Sequence, residues 1–194
     1  NEVNVTGLEN LLTYFKKQII HISSDYVFDG KNGPYSEEDS ANPINIYGMS
    51  KLRSEQALLN NSANSLIIRS NVIYDYLNNS RASFLNWVVD SLKKKKEINV
   101  VNDQVNNPTW ASSLTAVIDR AIELELIGLL HWGDGELLDR YEFAKKIADA
   151  FNLNRTLIKP ISTIDLNQDA LRPLKCGLKT DYAQKLLNLE PPNI

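Results

Sequence analysis

Apolar positions along this chain recur with two different periods, and the two periods alternate. Short runs of apolar, mostly β-branched residues predict buried strands, and apolar residues three or four positions apart predict amphipathic helices. The predicted strands lie near 18–23, 65–70, 97–101 and 128–132. The predicted helices lie near 4–16, 48–60, 83–96, 112–125, 139–151 and 180–187. Such alternation is typical of an α/β protein with a doubly wound parallel sheet.

Polar side chains follow two of the predicted strands. The first strand ends in Ser23 and Ser24, and the second leads into a turn over 70–74. Open α/β sheets bind ligands beyond the carboxyl ends of their strands, so we expect the functional site at this edge. We expect a larger unit (1–72 and about 111–127) and a smaller lobe over the site (about 73–110 and 128–194).

Tyr47 and Lys51 are the most informative pair of residues. Side chains four positions apart on a helix share one face. An ammonium group beside a phenol favours the phenolate, so we expect Lys51 to lower the pKa of Tyr47. Such a tyrosine is suited to protonating a carbonyl that receives a hydride. Ser24, at the preceding strand end, would hydrogen-bond the same carbonyl.

The same spacing occurs a second time, at Tyr141 and Lys145. This second pair lies in a segment with an ordinary amphipathic pattern, in which the apolar positions are Phe143, Ala144, Ile147, Ala148 and Phe151. No strand end with hydroxyl residues precedes it directly. We therefore interpret Tyr141 and Lys145 as part of a packed helix and Tyr47 and Lys51 as the functional pair.

Four segments, in order along the chain, resemble the dTDP-4-dehydrorhamnose reductase family of extended short-chain dehydrogenases/reductases. Residues 22–30 (Ile-Ser-Ser-Asp-Tyr-Val-Phe-Asp-Gly) are similar to the family's Ser-Thr-Asp-Tyr-Val-Phe segment. Residues 42–51, which end in Tyr-Gly-Met-Ser-Lys, are similar to its Tyr-Gly-Lys-Thr-Lys segment. The other two are 103–109 (Asp-Gln-Val-Asn-Asn-Pro-Thr) and 171–174 (Leu-Arg-Pro-Leu).

This resemblance implies a Rossmann-type fold, incomplete here, and the reduction of a 4-keto group on a nucleotide-linked deoxysugar by NADPH or NADH. Residues 1–72 and 111–127 would then belong to the NAD(P)-binding domain, and the smaller lobe would bind the sugar nucleotide. Tyr47 would donate the proton, and Ser24 would orient the keto oxygen. Lys51 would tune the pKa of Tyr47 and hold the nicotinamide ribose. The remaining implied site residues are Ser23 at the cofactor, Asp25, Val72 and Arg172 at the substrate, and Asn4 in a proton relay.

Two features depart from the family pattern. Val72 stands where the bacterial reductases often have tryptophan. The glycine-rich turn that brings backbone close to a dinucleotide pyrophosphate is absent from this sequence. The first predicted helix also runs to Lys17 with no turn before the strand at Gln18, although helix-to-strand connections usually take about 2–6 residues. We therefore expect residues to be missing before Asn1 and near Lys17.

Composition narrows the class of protein. A net charge of −3 does not favour binding to nucleic acid. The four lysines at 93–96 are interpreted as the solvated end of a helix. The single cysteine, Cys176, excludes an intramolecular disulfide and, without a Cys/His cluster, predicts a cytoplasmic protein with no metal site. His21 and His131 lie in apolar strands, where a core role is expected. No apolar run long enough to span a membrane appears.

Three functions stay open from the sequence. The first is the reductase, possible as a homodimer. The second is a binding module, because residues 128–135 (Gly-Leu-Leu-His-Trp-Gly-Asp-Gly) and 148–153 also resemble the regulatory beta subunit of methionine adenosyltransferase, and Val72 fits that branch. The third is a nucleotide-sugar epimerase or dehydratase of the same superfamily. For Asn106, Asn107 and Thr109, contacts to a sugar nucleotide and ordinary turn roles are equally expected.

Overall fold

A three-stranded parallel sheet forms the centre of the larger unit. The computed structural model describes residues 2–62, 64–76 and 83–194. In it, β1 (Ile19–Ser24) pairs with β2 (Ser65–Ser70), and β2 pairs with β7 (Gly128–His131). All three strands start near their predicted positions, and all six residues of β2 are buried. A strand that is buried on both faces reads as a continuous apolar run, which is why the sequence pattern located it.

Helices cover both faces of this sheet. A π-helical segment (Glu2–Thr6) leads into α1 (Gly7–Tyr14), which packs with α2 (Ile46–Asn61) on one face, while α4 (Ala111–Glu123) and α6 (Asp181–Leu187) cover the other. Side chains alternate across a strand. Ile67 accordingly packs with Leu8 and Leu12, and its neighbour Ile68 packs with Val117 and Trp132. The predicted doubly wound α/β architecture is confirmed.

The smaller lobe is built on a second parallel pair of strands. Here β4 (Ile98–Val101) pairs with β9 (Ile158–Ile161), and α3 (Phe84–Lys93) and α5 (Arg140–Ala150) pack around them. The sequence pattern did not indicate β9, because Lys159 and Pro160 in its centre are exposed and break the apolar run. Three-residue helical turns at Asp25–Val27 and Arg155–Leu157 complete the helical segments.

Four very short strands connect the two units. They form two pairs. In the parallel pair, β3 (Ile73–Tyr74) lies beside β6 (Thr109–Trp110). In the antiparallel pair, β5 (Val105–Asn106) lies beside β8 (Leu138–Asp139). The chain thus leaves the sheet after β2, builds part of the lobe, and returns through α4 to β7. The predicted boundary placed everything after residue 128 in the smaller lobe. In the structure, β7 is a strand of the main sheet and α6 packs against it.

The first helix is shorter than its sequence pattern predicts. It ends at Tyr14, and residues 15–18 connect it to β1. Lys16 turns back to donate a hydrogen bond to the Leu12 carbonyl oxygen (2.6 Å), at the end of the helix where backbone carbonyls lack intrahelical partners. The connection therefore has an ordinary length, and the expected interruption near Lys17 is not needed to join the two elements.

Candidate active site

Ser24 and Asp25 lie where β1 ends, at the carboxyl edge of the sheet. The Ser24 hydroxyl accepts a hydrogen bond from the Tyr26 amide (3.2 Å) and donates one to Asp25 Oδ1 (3.1 Å). Both side chains are buried. Ser24 is thus the cap of the turn Asp25–Val27, and its oxygen is held at the mouth of the site by backbone rather than by a flexible loop.

Tyr47 is the second residue of α2, and the start of this helix is closely specified. The Asn45 side chain accepts a hydrogen bond from the Gly48 amide (2.8 Å), which caps the helix, and donates one to the Leu171 carbonyl oxygen (2.9 Å). Gly48 lies against the Tyr26 backbone, where a Cβ atom would overlap the carbonyl oxygen. This close approach brings α2 onto the turn after β1, so Tyr47 meets Ser24.

Tyr47 is 48% exposed and lies edge-on to the Tyr26 ring, 5.7 Å between ring centroids. Partial burial raises the pKa of Tyr47, a hydrogen bond with Ser24 opposes that rise, and the charges of Asp25 and Tyr26 add to it. Lys51 does not contribute to this shift. The expectation that Lys51 lowers the pKa of Tyr47 is therefore wrong, and Tyr47 is a protonated phenol at neutral pH.

Lys51 has a different partner from the predicted one. Its ammonium group donates a hydrogen bond to the Ile22 carbonyl oxygen on β1 (3.0 Å). Burial lowers the pKa of Lys51, and the nearby Glu55 carboxylate opposes that effect. An ammonium group has three donors, so two remain for a ligand after the bond to Ile22. The geometry fits a residue that holds a ribose hydroxyl beside Tyr47, a role that stays a prediction.

Asp25 is the most strongly perturbed acid at the edge of the sheet. Burial raises the pKa of Asp25 to about 7, although hydrogen bonds and the positive charge of Arg140 oppose the rise. Its Oδ2 atom is buried without a hydrogen-bond partner among the described residues. Such a carboxyl group changes between donor and acceptor near neutral pH, beside Ser24 and Tyr26.

Two arginines line a cavity of about 310 Å³ next to Tyr26. The Arg172 guanidinium lies 5.8 Å from the Tyr26 ring centroid, and that of Arg140 lies 5.2 Å from the Phe84 ring centroid. Both arginines interact with Tyr26 through hydrogen bonds and charge. Guanidinium groups bind phosphates in two-point geometry, so this cavity is suited to an anionic ligand. Its other lining residues are Trp87, Asn99, Val100, Val101, Gln104, Leu166 and Gln168.

Arg172 was predicted from the sequence, and Arg140 was missed. Arg140 is the first residue of α5, where the helix dipole disfavours a cation. A basic residue in that position was the available signal, because it indicates that something outside the helix compensates the charge. The structure places the Asp25 carboxyl near this charge and makes the Tyr26 hydroxyl a hydrogen-bond partner of the guanidinium.

Val72 lies on the turn after β2 with a backbone φ of 40°. Positive φ is unusual for a β-branched residue and marks a strained position. The Val72 carbonyl oxygen accepts a hydrogen bond from the Thr109 amide (3.3 Å), and its side chain packs against the core of the smaller lobe. Its predicted contact with a substrate stays a prediction.

The polar residues of the segment 103–109 form hydrogen bonds within the protein. The Asn107 side chain hydrogen-bonds Asn71, the Leu178 amide and carbonyl, and the Asp134 carbonyl, at 2.8–3.2 Å. Thr109 contacts Asn71 and the Trp132 carbonyl oxygen. For Asn107 and Thr109 the turn role is therefore the one observed, and Asn106 Oδ1 is buried without a described partner.

Ser23 and Asn4 point away from the place predicted for them. The Ser23 hydroxyl donates a hydrogen bond to Glu55, and the Asn4 amide donates one to the Ser50 hydroxyl (2.9 Å). Both side chains therefore contact α2, Asn4 through Ser50 and Ser23 through Glu55. Their predicted contacts with a cofactor and a proton relay stay predictions.

The competing tyrosine–lysine pair behaves as its helical pattern predicts. Lys145 lies 4.8 Å from the Tyr141 ring centroid and forms an ion pair with Glu142 (2.6 Å). This is an ordinary surface arrangement on α5. Cys176 and His131 are buried in the core, also as expected. Within 2–62, 64–76 and 83–194 the structure contains no cluster of potential metal ligands and no helix long and apolar enough to cross a membrane.

Comparison with known proteins identifies the family. The RmlD substrate binding domain matches residues 1–194, so the chain belongs to that family. The expected resemblance to the dTDP-4-dehydrorhamnose reductases is confirmed. The chain is 30% identical to a dTDP-4-dehydrorhamnose reductase of Aggregatibacter actinomycetemcomitans over 205 residues, which cover 97% of this chain and 68% of that protein.

A second group of relatives has a different name. The chain is 37% identical over 150 residues to methionine adenosyltransferase 2 subunit beta of Bos taurus, which covers 74% of this chain and 45% of that protein. The chain thus spans about half the length of the first curated relatives that it matches.

Solved structures agree with the fold. A dTDP-4-dehydrorhamnose reductase from Bacillus anthracis str. Ames, in complex with NADP, superposes with a TM-score of 0.88 at 30% identity, covering 98% of this chain and 68% of that one. A hypothetical dTDP-4-dehydrorhamnose reductase from Sulfolobus tokodaii gives a TM-score of 0.86 at 32% identity, covering 100% and 68%.

Proposed function

We propose, from the premise of this family membership, that the full-length protein is an NAD(P)H-dependent reductase of the 4-keto group of a nucleotide-linked deoxysugar, with dTDP-4-dehydrorhamnose as the reference substrate. The observation that carries the proposal is the meeting of Tyr47 and Ser24 at the sheet edge. A cavity lined by Arg140 and Arg172 begins at the neighbouring Tyr26. A proton donor thus stands beside a site for phosphate groups.

Tyr47 and Ser24 would act on the keto oxygen together. A nicotinamide cofactor, when bound, supplies the hydride that adds to C4. Tyr47 would then transfer its phenolic proton to the oxygen, which stays bonded to C4. Ser24 would turn its hydroxyl hydrogen from Asp25 Oδ1 to donate a hydrogen bond to the same oxygen. The raised pKa of Tyr47 keeps that proton in place before the reaction, and the developing alkoxide is the stronger base that takes it. The product is the 4-hydroxy sugar, and the phenolate regains a proton from solvent.

Lys51 and Tyr47 are the residues of this chain that would hold the nicotinamide ribose. The fit rests on the two free donors of the Lys51 ammonium and on the half-exposed Tyr47 hydroxyl one turn earlier. Ser23 was also predicted at the cofactor, but its hydroxyl is engaged by Glu55. We therefore propose that Ser23 acts through Ser24 and α2 rather than through the cofactor.

The substrate would lie across the carboxyl edge with its diphosphate at the arginines. Arg140 and Arg172 neutralise phosphate charge, Asp25 offers a carboxyl group to a sugar hydroxyl, and Val72 borders the sugar from the β2 turn. The short Val72 side chain leaves more room at this border than a tryptophan. We expect this difference to change sugar preference rather than the chemistry of the reduction.

A regulatory role is the second candidate. It is favoured by the 37% identity to methionine adenosyltransferase 2 subunit beta of Bos taurus. In that case the same sheet edge would bind a nucleotide ligand without turnover, and a surface elsewhere would bind a catalytic subunit. A nucleotide-sugar epimerase or dehydratase is less well supported, because Ser23-Ser24-Asp25 offers only one of the acidic residues expected beside the tyrosine segment.

We also propose that the protein works in the cytoplasm, as a homodimer. Exposed apolar side chains on α1 and α2, Leu11, Met49 and Leu59 among them, support a surface that a second copy would cover. Sedimentation of the full-length protein measures this directly, and a monomer at micromolar concentration would contradict it.

One assay separates the two main functions. The full-length protein is mixed with dTDP-4-keto sugars and with NADPH or NADH, and oxidation of the cofactor is followed by absorbance. We expect turnover with at least one combination. If no combination is turned over, and the protein instead co-purifies with a methionine adenosyltransferase catalytic subunit, the regulatory function replaces the reductase.

A further inference from the structure

Three consecutive residues of β1 are joined to three side chains of α2. His21 Nε2 lies 2.9 Å from the Ser54 hydroxyl, the Ile22 carbonyl accepts from Lys51 at 3.0 Å, and the Ser23 hydroxyl donates to Glu55. Ser24 is the last residue of β1, and Tyr47 lies in the first turn of α2. These three contacts therefore set the relative position of the two residues that would bind the keto oxygen.

Glu55 is the charged member of this set, and it is 2% exposed. Its Oε1 accepts from Arg69 Nε (3.0 Å) as well as from Ser23, and its Oε2 accepts from Arg69 Nη2 (2.7 Å). Arg69 is also buried, on β2, opposite Ser23 in the strand register. One carboxylate thus joins α2, β1 and β2 immediately below the predicted site.

His131 completes the network from β7. Its Nδ1 lies 3.1 Å from the Tyr35 carbonyl oxygen, so Nδ1 carries the hydrogen and donates it. Nε2 is then an acceptor for Arg69 Nη1, at 3.4 Å. Burial and the Arg69 charge lower the pKa of His131 to about 3, so the ring is neutral. His131 therefore adds no charge to the network, and Arg69 is the charged group paired with Glu55.

Stability alone does not account for this ion pair. Replacing a buried pair by apolar residues of similar volume is often neutral or stabilising. The position of the pair offers another reason, because Glu55 lies one helical turn after Lys51 on the same face. The titratable groups whose charges act on Lys51 are His21 on β1 and Glu55 on α2, while Glu2 and Glu9 on the N-terminal helices are exposed.

We propose that Glu55 is a positioning residue for the reduction: through Ser23 and Arg69 it holds β1 and α2 in the register that brings Ser24 to Tyr47. This inference rests on the proposed function. Burial lowers the pKa of Lys51, and Glu55 is the charge that opposes this effect. Without Glu55, Lys51 loses its proton at lower pH, and with it the charge that would hold the cofactor ribose.

The test uses variants that separate charge from packing. Glu55→Gln keeps the shape but leaves Arg69 buried without its counter-ion, so the double substitution Glu55→Gln with Arg69→Met is made beside it. Ser23→Ala removes the strand contact and keeps the ion pair. Glu97→Gln is the control, because that glutamate forms an exposed pair with Lys159.

Two readouts are taken on the full-length protein. The first is the pH profile of kcat/KM, whose alkaline limb we expect to move down by about one pH unit in both Glu55 variants and not in Glu97→Gln. The second is the pH dependence of Lys51 acetylation by mass spectrometry, with the exposed Lys95 as internal reference, and its midpoint should move by the same amount. Ser23→Ala should lower kcat roughly tenfold, which corresponds to one lost hydrogen bond, without moving either pH midpoint.

Each outcome decides the inference. A folded double variant in which both midpoints equal those of the unsubstituted protein would show that Glu55 is only a structural residue. If Ser23→Ala leaves kcat as unchanged as Glu97→Gln does, Glu55 is likewise shown to be only a structural residue. If the unsubstituted protein has no reductase activity, the acetylation midpoint still tests whether Glu55 controls Lys51, so failure of the proposed function is distinguished from failure of this inference.

Discussion

The Lys51 ammonium nitrogen lies 3.0 Å from the carbonyl oxygen of Ile22 and donates a hydrogen bond to it. The lysine of the Tyr-x-x-x-Lys pair is therefore tied to the strand before the site. It is not among the groups that shift the pKa of Tyr47. The two residues share a helix face, as their spacing requires. They would act together only on a ligand that binds between them.

Tyr47→Phe should reduce kcat by about 10²-fold or more, because it removes the proposed general acid. Only a half-exposed hydroxyl is lost, so the free energy of unfolding should change by less than about 1 kcal/mol. Steady-state kinetics and urea denaturation measure the two effects. Tyr141→Phe is the matched control on α5 and should keep kcat within about twofold. Near-normal turnover in Tyr47→Phe would remove this residue from the mechanism.

Lys51→Met should raise the cofactor KM by roughly 10- to 100-fold, the size expected for a lost charge-assisted hydrogen bond. Methionine keeps much of the apolar stem, so packing against β1 is preserved. The pKa of Tyr47 in the unliganded variant should stay where it is, because Lys51 does not shift it. Ultraviolet titration of the phenol gives that value, and a clear rise in it would mean that the two side chains interact directly.

Asp25→Asn should stabilise the protein at alkaline pH and have little effect in acid. The folded-state pKa of Asp25 is raised to about 7, above its unfolded value, so the folded protein binds the extra proton between these two values. Stability from this group is present at low pH and is lost as pH rises through about 7. The asparagine variant should therefore gain roughly 2–4 kcal/mol relative to the unsubstituted protein between pH 4 and pH 8.

Urea denaturation at pH 4, 6 and 8 measures this gain. Asp119→Asn, at an exposed position of α4, is the control and should show no such trend. A constant difference between Asp25→Asn and the unsubstituted protein across this range would mean that Asp25 does not titrate in it.

Arg140→Gln and Arg172→Gln should each raise the KM for the nucleotide sugar by roughly tenfold or more, with a smaller change in kcat. Each removes a cation from the cavity beside Tyr26, and a bond between charged groups contributes about 1.5–3 kcal/mol. Arg155→Gln removes only an exposed pair with Asp149 and serves as the control. If the KM for the free sugar phosphate and for the nucleotide sugar were both unaffected, the diphosphate would bind elsewhere.

Much of the fold was predictable from local pattern. The six helices and the strands β1, β2, β4 and β7 were located because apolar periodicity depends only on residues close in sequence. The same holds for the placement of Tyr47 and Lys51 on one helix and of Ser24 at a strand end. The strand β9 was not predicted, because its central residues Lys159 and Pro160 are exposed and interrupt the apolar run. Its pairing partner β4 lies more than fifty residues earlier in the chain.

The chemistry of the site was decided by the tertiary structure. Arg140 contacts Tyr26 although it lies more than one hundred residues later in the chain. Glu55 meets Arg69 and Ser23 only when three elements pack together. The direction of the Tyr47 pKa also followed from burial and not from the neighbouring lysine. Spacing along a helix determines which side chains share a face, whereas desolvation and ion pairing depend on what the rest of the chain brings against that face.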